Sequence, residues 1–128
     1  MAEGLLRTAL PRVDIKSAGL QAVVGAKADQ CAQDLMQARG VDISQHRSQQ
    51  FLYESHRRAD LILVMDSVQK VLVEKNHAQL RGRVFRLGHF TKTDIFDPYQ
   101  LSQSHFAECL ALIDEGVREW QKKLDQLG

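Results

Sequence analysis

Asp94 and Asp97 lie three residues apart, and two carboxylates at that spacing suit an acid–base pair or a metal site. A simpler reading has Asp94 solvated beside Lys92, with Asp97 opening an Asp-Pro turn closed by an Asx hydrogen bond. Cys31 and Cys109 are the two thiols, and a free cysteine is most often a small buried apolar residue. The histidines His46, His56, His77, His89 and His105 show neither His-Glu-x-x-His nor cysteine-paired spacing, so no metal site is expected. Arg81, Arg83 and Arg86 form a basic cluster suited to phosphorylated tails, although a solvated face explains them more simply.

The elements that must position these groups can be read from periodicity. Ala2, Leu5, Leu6 and Ala9 share a helical spacing that Pro11 stops. Val13, Ile15 and Ser17 alternate with Asp14 and Lys16, which predicts a short strand ahead of a loop at Ala18-Gly19. A helix over about 28–39 should bury Ala28, Cys31, Ala32, Leu35 and Met36, with Gly40 as its left-handed cap. Gln45 to Arg58 is polar and expected to be partly helical. The run Leu61 to Met65 reads as a strand covered on both faces, as in a parallel sheet. Asp66 or Ser67 can cap a helix to about Asn76, with Val68, Val71 and Leu72 as its apolar stripe. Val84 to Leu87 is the next strand, His89 to Gln100 a loop, and Phe106, Leu110, Ile113, Val117, Trp120 and Leu124 mark a long closing helix. Alternating strands and helices predict a doubly wound α/β domain that binds ligands beyond the carboxyl ends of its strands.

Composition narrows the partners. The 128 residues, 44% hydrophobic and 26% charged, fit a single domain over 1–128. Seventeen basic against sixteen acidic side chains leave +1, too little to recruit nucleic acid or an anionic membrane through a global field. The apolar run at 61–65 falls far short of the roughly 18 residues of a membrane span. Glu3 and Arg7 argue against a secretory leader, and two isolated cysteines make no disulfide framework, so a cytoplasmic setting is expected.

Six ordered blocks carry a more specific signal: Ser17-Ala18-Gly19-Leu20, the helix ending at Gly40, His46-Arg47-Ser48, Ala59 to Asp66, Phe85-Arg86-Leu87-Gly88-His89, and Asp97-Pro98-Tyr99. In this order and spacing they resemble the low-molecular-weight protein tyrosine phosphatases, most closely the bacterial kind that accompanies capsule and exopolysaccharide tyrosine kinases. The chain departs from that pattern at Gln49, where the family usually carries arginine, so no ion pair is carried over there.

The resemblance implies a three-layer, doubly wound parallel sheet and a cofactor-independent hydrolysis of phosphotyrosine through a cysteinyl-phosphate. Asp97 would be the general acid and then the base, Tyr99 and Leu20 would flank the substrate ring, and Ser17 and His46 would brace the phosphate loop. That loop, Cys, five residues, Arg, Ser, Pro, follows the family's opening central strand and precedes residues like Met1-Ala2-Glu3. The chain is therefore expected to begin where the loop ends and to be inactive by itself, since Cys31 is followed six positions on by Gln37 and Cys109 by Glu115. Without that strand it is expected to be poorly soluble or strand-swapped, and with it a monomer or weak dimer. The expected partner is a phosphotyrosine protein, a tyrosine kinase of polysaccharide export. The alternative is a non-catalytic relative that binds a partner.

Overall fold

A computed structural model describes residues 1–127. The elements follow as α1 (Ala2–Ala9), α2 (Gln30–Gln37), α3 (Tyr53–His56), β1 (Ile62–Val64), α4 (Ser67–Asn76), a 3-10 turn (Ala78–Leu80), β2 (Val84–Arg86) and α5 (Gln103–Leu127). The two strands pair in parallel, with Ile62 opposite Val84 and Val64 opposite Arg86. Among the described residues the sheet has these two strands, so β1 keeps one open edge.

Side chains of β1 alternate between two cores, as the period of 2 requires. Leu61, Leu63 and Met65 face a cluster built by α1, α2 and α5 around Leu5, Met36, Ile113, Val117 and Trp120. Ile62 and Val64 face the opposite cluster, where Val73 of α4 meets Leu80 and Val84. The strand is thus covered on both faces, and the three layers are helix, sheet and helix. Each fully buried side chain such as Met36 or Leu80 contributes about 1.5–3 kcal/mol of burial.

Caps fix the helix ends. Asp29 accepts from the Cys31 amide and Asp66 from the Gln69 amide, each satisfying an orphan donor of its helix. Gly40, at φ +77°, ends the second helix in a Schellman arrangement: its amide donates to the Gln37 carbonyl, and that of Val41 to the Met36 carbonyl.

Three sequence expectations need correction. The segment Val13 to Ser17 forms no strand, and Val13 is 52% exposed. Side chains occupy its backbone instead: Arg7 donates to the Ile15 carbonyl and Gln49 to that of Ser17. On α4, Val68, Val71 and Leu72 face solvent, and Val73 is the residue that reaches the core. The phase of this helix is set by the sheet beneath it, which selects one apolar residue of four. Cys31 lies on the half-buried flank of α2, with Ala32 and Met36 as the buried positions.

Candidate functional site

Both strands end on the same side of the sheet, where β1 leads into α4 and β2 into the loop from Leu87 to Leu101. Beyond the end of β1 a cleft of about 740 Å³ opens. Met65 forms part of its wall, together with the first two turns of α1, Ser17 and the segment around His46. Its position beyond a strand's carboxyl end is where open α/β sheets bind ligands.

Glu3 organises this cleft. The Ser17 hydroxyl donates to Glu3 Oε1, and His46 Nδ1 lies 3.8 Å from the same oxygen. Arg7 Nε sits 3.1 Å from Glu3 Oε2, so three segments converge on one carboxylate. Ser17 and His46 are therefore brought together on Glu3, in the first turn of α1. Gln49, standing in the family's arginine position, donates 2.8 Å to the Ser17 carbonyl. Glu3 pairs locally with Arg7, but the partners that make it a hub, Ser17 and His46, lie 14 residues away and farther, beyond any local pattern.

The remaining candidates lie outside the cleft wall. Leu20 packs partly against the Val64–Val73 cluster. Its carbonyl accepts from the Gln50 amide nitrogen at 2.6 Å, while Gln50 Oε1 accepts from the Ala22 N–H at 2.9 Å. Gln50 thus pins the loop after Ser17, a role no local pattern announces. Tyr99 is 67% exposed.

Asp97 is exposed, and its Oδ1 accepts from the Tyr99 amide at 3.0 Å, the Asx turn expected of an Asp-Pro dipeptide. That turn uses one carboxylate oxygen and leaves the other outside it. Around it the backbone is anchored: the Ile95 amide donates to the Met65 carbonyl at 2.9 Å, and Pro98 is buried. Cys109 lies beneath, its thiol donating to the Phe96 carbonyl at 3.3 Å.

Asp94 is exposed, as expected, but its carboxylate is also engaged. Its Oδ1 accepts from Ser67 N at 3.1 Å, Ser67 Oγ at 3.0 Å and Arg86 NH1 at 2.7 Å. These bonds, that from Arg86 foremost, hold its carboxyl below the usual range. Nor is the arginine cluster simply solvated: Arg83 donates to the carbonyls of Arg57, Ala59 and Gln79.

Neither thiol is activated. Burial pushes the Cys109 thiol up, with the Asp97 charge adding to it, and partial burial followed by the Asp29 carboxylate does the same to Cys31. A nucleophilic thiolate needs the opposite shift.

Residues 1–127 match the family described as low molecular weight phosphotyrosine protein phosphatase. The probable low molecular weight protein-tyrosine-phosphatase EpsP of Ralstonia nicotianae is 44% identical over 128 residues, covering all of this chain and 88% of that protein. The low molecular weight protein-tyrosine-phosphatase Ptp of Acinetobacter johnsonii is 40% identical over 97% of this chain and 87% of its own. The chain belongs to the low molecular weight phosphotyrosine protein phosphatase family. Among solved structures, Vibrio vulnificus Wzb in complex with benzylphosphonate superposes with a TM-score of 0.90 at 32% identity, over 95% of this chain and 87% of that one. The α/β fold expected from the alternating elements is thereby shown. In this low molecular weight phosphatase, no helix among the described residues is long and apolar enough to cross a membrane.

Proposed function

We propose that the chain is the greater part of a bacterial phosphotyrosine-protein phosphatase in which Asp97 is the general acid. The supporting observation is the placement of Asp97: it is exposed on a loop whose backbone is tied, through the amide of Ile95, to Met65 at the end of β1. Met65 is also part of the cleft wall. In the proposed reaction a cysteine thiolate attacks phosphorus, forming an S–P bond as the P–O bond to the tyrosyl oxygen breaks. Asp97 gives its proton to that oxygen, which would otherwise leave as the anion of a phenol with pKa near 10. A water then attacks the cysteinyl-phosphate, Asp97 takes its proton, and phosphate and the thiolate are released. Tyr99 and Leu20 flank the substrate ring, while Ser17 and His46, through Glu3, hold the end of α1 that faces the phosphate.

The nucleophile must come from a Cys-x5-Arg loop, because neither Cys31 nor Cys109 has an arginine six positions on. The 128 residues by themselves are therefore expected to be inactive. The substrate we propose is the phosphotyrosine of a cytoplasmic tyrosine kinase that governs polysaccharide export, which rests on the resemblance of the six sequence blocks to the bacterial phosphatases that accompany such kinases. The second reading, a non-catalytic protein that binds a partner, is favoured by the same want of a Cys-x5-Arg sequence. Assays with p-nitrophenyl phosphate separate the two. The 128-residue chain should give no turnover, and the chain preceded by a strand and Cys-x5-Arg loop should be active. In the active form Asp97→Asn should lower turnover on poorly activated phenyl phosphates about 10²–10⁴-fold. An inactive extended chain that folds would favour the binding protein.

A further inference from the structure

One carboxylate oxygen gathers the ends of two elements beside the Asp97 loop. Asp94 Oδ1 takes the N–H and hydroxyl of Ser67, at the start of α4, and NH1 of Arg86, the last residue of β2. The next residue, Ile95, is 1% exposed and hydrogen-bonded to Met65, and the one after it, Phe96, accepts from Cys109. Asp97 follows directly. Lys92 (φ 56°) and Gln100 (φ 62°) bracket the segment in the left-handed region, a conformation a residue with a Cβ keeps only where its surroundings over-determine it. The Asp94 side chain is 50% exposed, so its ion pair alone would contribute little. The two donors from Ser67 carry no charge, and ionic strength does not screen them as it screens the pair.

We propose that Asp94 is a positioning residue, which gathers Ser67 and Arg86 onto one oxygen and so fixes the segment that carries Asp97. The inference deepens the proposed function, since a general acid must be held within reach of the leaving oxygen. Its test needs no turnover. In the chain preceded by the strand and Cys-x5-Arg loop, nuclear magnetic resonance should show the Ser67 amide proton titrating with the Asp94 carboxylate. Asp94→Asn should abolish that titration and speed amide exchange at Phe96, Asp97 and Tyr99 by about tenfold, the scale of a lost charge-assisted hydrogen bond. Amides of Leu110, Ile113 and Val117 should keep their rates. Arg86→Gln should speed the same three loop amides, and Arg86→Lys, which keeps the charge, should do so less. Should Asp94→Asn fail to fold, Ser67→Ala and Arg86→Gln carry the test. Unchanged loop exchange, a Ser67 amide that does not titrate, or a uniform rise reaching the α5 amides would each overturn the proposal. Whether Asp97 is the acid is read separately, from the turnover of Asp97→Asn in the active form.

Discussion

Gly116 of α5 packs directly on the backbone of Leu87 at the end of β2. A Cβ built on Gly116 would stand 2.8 Å from the Leu87 carbonyl oxygen and 3.0 Å from its Cγ. Glycine ordinarily weakens a helix interior by about 1 kcal/mol, yet here it allows the closing helix to touch the sheet.

Gly116→Ala should therefore destabilise the fold despite its better helix propensity. The obstacle is backbone, so α5 must shift, and overpacking of this kind costs about 1–3 kcal/mol. Urea melts should show the loss, and a stability equal to or above that of the parent would mean the helix adjusts freely.

The two faces of α4 should respond in opposite ways. Val73, 2% exposed, loses packing when cut to alanine and should cost about 1–3 kcal/mol. Val71, 61% exposed, should tolerate lysine within about 0.5 kcal/mol. Equal costs at the two positions would mean that a further surface covers Val71 in solution.

Alkylation should separate the thiols. Cys31 is half-buried and Cys109 buried, and both are raised above the ordinary thiol value. Iodoacetamide at neutral pH should modify Cys31 slowly and leave Cys109 untouched until the protein unfolds. Mass spectrometry of the peptides gives the order, and rapid labelling of Cys109 in the native chain would contradict its burial.

The Asp94 cluster should fail in acid. Its folded carboxyl lies below the ordinary value near 3.9, chiefly through Arg86, so its contribution is complete above that value and is lost as pH falls through the folded one. The difference in melting temperature between the parent and Asp94→Asn should be constant above about pH 5 and shrink as the pH drops below the ordinary carboxylate range. A difference that persisted unchanged into acid would assign the effect to something other than the charge.

What could be read in advance followed the range of the forces involved. The run Leu61 to Met65 and the apolar series from Phe106 to Leu124 carry their own periodicity, and β1 and α5 form there. Capping is equally local, which is why Asp66 and Gly40 were legible. Val13 to Ser17 has the alternation of a strand, but a strand exists only against a neighbour, and side chains of Arg7 and Gln49 take its carbonyls instead. Glu3, Gln50 and Asp94 show the same limit on the polar side. Glu3 and Asp94 each have one near partner, Arg7 and Arg86, but Ser17, Leu20 and Ser67 meet Glu3, Gln50 and Asp94 across 14, 30 and 27 residues, and no spacing rule reaches so far.

The most extensive helix packing joins α1 to α5, and Gln121 donates to the Ala9 carbonyl across 112 residues. During translation the first helix therefore emerges long before the surface that will cover Leu5. At about 5–20 residues per second, the interval is roughly 6–20 s, during which α1 and the strands are exposed to chaperones and proteases. Slowing elongation through the codons between α1 and α5 should lengthen that exposure.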